Sequence, residues 1–185
     1  MSRIALYVLV AQAAALPGWL VAGDWTSPVE VRHDTTLCLT YQAKWSGDYL
    51  LVRAKIEFPW HTFAMDNKQR ADEKLAGKPS LGQDRPTSIK LSGGLELDGG
   101  WQQYEPKDFS KPELRWFSWG YEGFALFAAK VKRSGQGPAQ IAIGGQACTE
   151  SICKNIDVDI GLPVSGPAGA NPAEIELKGL IPVRR

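Results

Sequence analysis

The groups in this chain best suited to chemistry are three thiols, Cys38, Cys148 and Cys153. Two of them lie close together in Gln146-Ala147-Cys148-Thr149-Glu150-Ser151-Ile152-Cys153, with four residues between them. The flanking segments read as strands. Ala139 to Gly145 comes before the pair, and Cys153 to Ile160 alternates Ile156, Val158 and Ile160 against Asn155, Asp157 and Asp159. A hairpin would set the two cysteines opposite each other. Directly opposed strand residues have Cα atoms about 4.5–5.5 Å apart, within the range of about 4.4–6.8 Å that disulfides span. Such a bond closes a very short loop, and the stabilisation from cross-linking grows with loop length. It is therefore either a local staple or a bond to be opened and closed by thiolate attack. Lys154 favours a thiolate at Cys153 and Glu150 opposes it, so the spacing leaves both chemistries open.

Two further clusters bear on the choice. Trp116-Phe117-Ser118-Trp119-Gly120-Tyr121-Glu122-Gly123 holds four rings. Trp116 and Phe117 read as core. Trp119 and Tyr121, set among Ser118, Gly120 and Gly123, read as a segment able to lie over a reactive sulfur and keep water away. Phe58-Pro59-Trp60-His61-Thr62-Phe63 contains His61, one of two histidines; the other, His33, sits in a charged stretch. The histidines and cysteines share no metal-site spacing, so no cofactor is expected. A nucleophile elbow, a phosphate loop and a dinucleotide fingerprint are also missing.

The elements that must position these residues are strands. Thr35 to Lys44 alternates Leu37, Leu39 and Tyr41 on one face. Tyr49 to Phe58 alternates Leu50, Val52, Ala54, Ile56 and Phe58 against Arg53, Lys55 and Glu57. Short strands follow at Thr87 to Leu91 and Leu95 to Leu97, with a turn at Asp98-Gly99-Gly100, then a longer one at Tyr121 to Val131. Residues 64–86 are charged and broken by Gly77 and Pro79, which reads as a long loop with a helical turn or two. Many short strands without a long amphipathic helix predict an all-β antiparallel sandwich. A last strand is expected within Glu174 to Leu180, and a frayed tail from Val183 to Arg185.

The chain has 185 residues, enough for one domain with appendages. Its 21 basic and 20 acidic residues give a formal net charge of +1, with no basic stripe to suit nucleic acid or an anionic membrane. Met1-Ser2-Arg3, the apolar run Ile4 to Leu16, and Val21-Ala22-Gly23 read as an export signal covering residues 1–23. The run is too short to span a bilayer, so the mature chain is expected to be exported and not membrane-spanning. Disulfides persist in that compartment. The expected division is a signal at 1–23, a sandwich domain at 24–163, and a Gly/Pro-rich linker with a tail at 164–185. Cys38 is left over from the pair and reads as a small, half-buried strand residue.

Several motifs occur in a familiar order: Tyr49-Leu50-Leu51-Val52-Arg53-Ala54-Lys55-Ile56, Trp60-His61-Thr62-Phe63, Pro86-Thr87-Ser88-Ile89, Gly94-Leu95-Glu96-Leu97, Tyr121-Glu122-Gly123, then Cys148 and Cys153. In this order the chain, from about Thr35 to Pro163, resembles the N-terminal domain of the DsbD thiol:disulfide interchange proteins. The resemblance implies an immunoglobulin-like sandwich acting in the periplasm. Cys148 and Cys153 would be a redox pair that receives electrons from a membrane-embedded thiol:disulfide partner and passes them to thioredoxin-like and other thiol proteins. It also implies a cap loop over the pair, matched by Trp119 to Gly123 with Trp119 or Tyr121 as the covering ring and Glu122 beside them. His61 would lie near the pair and help move a proton. Three departures stand out. The family's domain is usually joined to a membrane domain and a thioredoxin-like domain, and this sequence carries neither, so a separate protein would have to supply electrons, or the domain has left the pathway. Lys154-Asn155-Ile156 follows the second cysteine where prolines are common, and Cys38 has no counterpart. The alternative is an exported, non-enzymatic binding or scaffolding sandwich with a structural hairpin disulfide.

Overall fold

The computed structural model describes residues 25–78, 85–135, 137–162 and 177–184. The expected signal segment and most of the expected linker lie outside those residues. The described chain forms two antiparallel sheets packed as an immunoglobulin-like β-sandwich. The first sheet contains β1 (Val29–His33), β2 (Thr36–Ser46), β3 (Tyr49–Ile56), β9 (Phe124–Arg133), β6 (Leu95–Tyr104) and β12 (Leu180–Pro182), side by side in that order. The second runs β11 (Cys153–Leu162), β10 (Ala139–Cys148), β4 (His61–Phe63), β8 (Trp119–Tyr121) and β7 (Lys107–Asp108). β5 (Ser88–Ser92) pairs with the first half of β10, and β4 with its end.

Side-chain alternation decides which faces meet. Leu39, Tyr41, Ala43 and Trp45 of β2 turn inward, as do Leu50, Val52, Ala54 and Ile56 of β3. From the second sheet, Ile141, Ile143, Ala147, Ile156, Trp119 and Tyr121 meet them in one continuous core. Burying such side chains is the main stabilising term, roughly 1.5–3 kcal/mol for each large one. Leu51 of β3 and Leu126 and Ala128 of β9 point the opposite way and are still buried. Trp25, near the start of the described chain, and Leu177 and Leu180, near its end, cover them. Trp25 is further held beneath Arg53, 4.1 Å from its ring centre, and Lys44 at 4.9 Å.

Several elements differ from the pattern read in the sequence. The Asp98-Gly99-Gly100 segment does not end a strand. β6 continues through it to Tyr104, and the register with β9 slips between Leu97 and Trp101, the mark of a bulge. The stretch from Tyr121 to Val131 is two strands in different sheets, parted by Glu122-Gly123, where Gly123 takes φ 69°. The last strand falls at Leu180–Pro182, and the tail beyond it is docked: the Val183 N–H donates to Trp101 O (2.9 Å) and the Arg184 N–H to Asp66 Oδ2 (3.2 Å).

The long insertion carries the helix α1 (Asn67–Leu75). Its N-cap, Asp66, has a fully buried carboxylate. Oδ1 accepts from Arg70 Nε (2.9 Å) and Gln103 Nε2 (2.7 Å). A buried carboxylate is tolerated only when paired in this way. This knot joins α1, β6 and the C-terminal tail, and Asn67 Oδ1 accepts the Trp119 N–H (2.7 Å), which fixes β8 beside them.

Candidate functional site

Cys148 and Cys153 are bonded, with Cα atoms 4.1 Å apart. They end a ten-residue ladder between β10 and β11 that runs unbroken from Ala139↔Leu162 to Cys148↔Cys153. The Thr149 N–H donates to Ile152 O (2.8 Å), and Thr149 Oγ1 accepts from the Ile152 N–H (3.2 Å) and the Ser151 N–H (3.3 Å). With the 149/152 pair hydrogen-bonded, the cysteines fall at the closer, non-hydrogen-bonded position of an antiparallel ladder. The two halves of the bond differ in access: Cys148 is 3% exposed, whereas Cys153 is exposed.

On the other flank of β10, His61 of β4 stands opposite Cys148, and Thr62 opposite Ala147. Because successive side chains alternate, His61 and Cys148 share the outer face of the second sheet, while Thr62 and Ala147 face the core. The His61 ring meets Phe63 edge-on at 5.4 Å and lies 5.2 Å from Phe109. The structure thus brings Cys148, Cys153 and His61 together, as three of the residues singled out in the sequence.

Trp119 and Tyr121 turn the other way. Tyr121 is opposite Thr62, so its ring enters the core, where it meets Phe127 edge-on at 5.8 Å and its hydroxyl donates to Tyr104 O (2.8 Å). Burial raises the Tyr121 phenol well above its ordinary pKa, and the nearby Asp66 and Glu105 carboxylates push it in the same direction. Trp119 is 7% exposed in the same core. Of the expected cap residues only Glu122 is at the surface, where it binds Lys107 (2.7 Å). Trp116, read as core, is 37% exposed.

The ring that lies against His61 is Phe109, in the segment that follows β7. A Cβ on Gly120 would come within 3.2 Å of the Phe109 ring and 2.0 Å of Thr62 O. Only glycine leaves room for both the β4–β8 pairing and the ring above it. Lys107, whose Nζ is 5.2 Å from the Phe109 ring centre, ties this loop to Glu122. A glycine between two aromatic residues in β8 was the available signal for a ring packed on that strand from outside.

Cys38 is an unbonded thiol, fully buried in the inter-sheet core, with Sγ 3.8 Å from Thr36 O. Burial pushes its pKa up, away from the thiolate form, although Lys154 and Arg32 pull it partly back.

The fold and these residues define an antiparallel β-sandwich with a half-exposed disulfide at one hairpin tip. No family model matches the sequence, and no curated protein matches it. Among solved structures, the N-terminal domain of DsbD from Neisseria meningitidis, in the reduced form, is similar at 12% identity and a TM-score of 0.48, covering 80% of this chain and 91% of that one. The GAE domain of GGA2p from Saccharomyces cerevisiae is similar at 8% identity and a TM-score of 0.30, covering 75% of this chain and all of that domain. At these identities and TM-scores neither likeness assigns a function to this chain.

Proposed function

We propose that this chain is an exported thiol–disulfide exchange module, acting in the periplasm, that passes electrons through Cys148 and Cys153 to or from a thioredoxin-like or membrane-embedded thiol protein. The observation that carries this reading is the asymmetry of the bond, with one sulfur's residue exposed and the other's buried beside His61. An incoming thiolate reaches Cys153 Sγ, and Cys148 leaves as the thiolate. In this reading His61, opposite Cys148, supplies a proton or stabilises the leaving sulfur. Phe109, lying on His61, supplies the apolar cover expected of Trp119 or Tyr121.

The alternative, a static staple in a binding or scaffolding sandwich, draws less support. The hairpin has ten paired positions and a hydrogen-bonded turn, so its geometry does not depend on the bond. The motif order described above supports the exchange reading, and the export signal supports a compartment in which the bond can cycle. No helix among the described residues is long and apolar enough to cross a membrane.

The test is thiol trapping. Cys148→Ser should leave an exposed Cys153 that accumulates a mixed disulfide with a thioredoxin-like protein, whereas Cys153→Ser should leave a buried thiol that traps far less. A bond with a reduction potential below about −300 mV, inert to strong reductants in the folded state, would refute exchange and favour the staple.

A further inference from the structure

Resting on that exchange reading, we infer that Phe58 is the apolar anchor on which a partner protein docks when its reactive thiol meets Cys153. Phe58 is 97% exposed, so it contributes almost nothing to the core. It is nevertheless held on a firm turn. The Glu57 N–H donates to Cys38 O (2.9 Å) and the Trp60 N–H to Glu57 O (2.8 Å), while the buried Trp60 ring packs 6.0 Å from His33.

Topology puts this turn at the disulfide end of the sandwich. β4 is antiparallel to β10 with His61 opposite Cys148, so the residues before His61 extend past Cys148 toward the hairpin tip. The Ile56 N–H donates to Gly123 O (2.8 Å), which fixes the end of β3 just before the turn. Six large hydrophobic residues are exposed among the described residues; Phe58 and Ile152 both lie at this end, in the turn before β4 and in the hairpin loop beside Cys153. Single exposed apolar residues are ordinary. An exposed aromatic on a fixed turn, at the end of the sheet that bears the exposed sulfur, has the form of an interface hot spot, because little backbone freedom is lost when it is covered.

The chemistry fixes the kind of partner. A mixed disulfide holds the partner's sulfur about 2.05 Å from Cys153 Sγ, so the partner's surface must rest on this end. Its thiolate attacks Cys153 Sγ, and Cys148 departs with the bonding electron pair and takes a proton. The partner's second thiolate then attacks the mixed bond and releases Cys153. The partner's dithiol is oxidised and this pair is reduced, with two electrons transferred. The occupant is therefore a protein dithiol with an apolar rim around its reactive cysteine.

The experiment compares reduction of the full chain by reduced thioredoxin and by dithiothreitol, in the unaltered protein, Phe58→Ser and Leu97→Ser. Leu97 is also exposed but lies toward the far end of β6, opposite Val131. Phe58→Ser should slow reduction by thioredoxin about tenfold, leave the dithiothreitol rate and Tm unchanged, and differ in this from Leu97→Ser, which should change neither rate. An unchanged thioredoxin rate in Phe58→Ser, or equal slowing with both reductants, would overturn the inference. So would an unaltered protein that yields to dithiothreitol but not to thioredoxin, although exchange itself would stand. A chain inert to both would overturn the exchange reading instead.

Discussion

The two sheets are covered on their outer faces in opposite ways. The outer face of the first is sealed by apolar segments from both ends of the described chain, with Trp25, Leu177 and Leu180 packed over Leu51, Leu126 and Ala128. The outer face of the second carries a half-exposed disulfide, a histidine and a half-buried Phe109, on a loop tied down by the surface pair Lys107–Glu122. The first cover is the kind that lasts, since many apolar contacts would have to break together. The second rests on the two-residue β7–β8 pairing, the Phe109 N–H to Ser118 O bond (2.9 Å) and a solvent-exposed ion pair that is worth little, with far less apolar contact. A sandwich can thus keep one face closed for stability and leave the other openable for chemistry.

The comparison can be broken most directly on the closed side. Leu51→Ala should cost about 2–5 kcal/mol of unfolding free energy, read by urea denaturation, through the cavity it leaves. It should leave the rate at which dithiothreitol opens the disulfide unchanged. A matching rise in that rate would mean that the two faces are not independent.

Alkaline pH tests the core that both sheets share. Burial pushes Tyr41, from the first sheet, up to about 12 and raises Tyr121, from the second. A folded pKa above the unfolded value near 10 means that this stability is fully present below about pH 10 and is lost as pH climbs toward 12. Denaturant midpoints measured at pH 9 and pH 11 should show the fall, and a flat profile would place these phenols in contact with water.

On the open side, Phe109→Ala should cost only about 1 kcal/mol, because the ring is half-buried, yet it should speed reduction of Cys148–Cys153 by small thiols. An unchanged rate would show that Phe109 does not shield the bond. Smallest of all, Glu122→Gln should shift stability by at most about 0.5 kcal/mol, since both partners are more than half exposed. Its effect on the reduction rate should shrink as salt is added.

Legibility in the sequence followed strand length and alternation. β2, β3, β10 and β11 each run for eight residues or more with one clean apolar face, and the expected strands at 35–44, 49–58, 139–145 and 153–160 fall on them. The exception is that β3 ends at Ile56, and Phe58, expected on its apolar face, is exposed in the turn beyond. The opposition of Cys148 and Cys153 follows from those two long strands and a four-residue turn, so it too was readable. β4 and β8 have three residues each, too few to show a period, and their place beside β10 rests on long-range pairing. For that reason the inward direction of Trp119 and Tyr121 could not be read from composition, and Phe109 had no local signal beyond Gly120. Asp66 looked like one charge among many in residues 64–86; its role depends on Gln103 and Arg184, which are far away in sequence.

The position of Trp25 has a practical consequence for handling the protein. It lies on the outer face of the first sheet, and sheets in a sandwich stack about 10 Å apart, so the whole thickness of the core separates it from the face bearing Cys148. A bead, surface or fluorophore attached just upstream of Trp25 would hold the molecule by its back. The hairpin sulfurs would then face the bulk solution, in an orientation suited to measuring their exchange one molecule at a time.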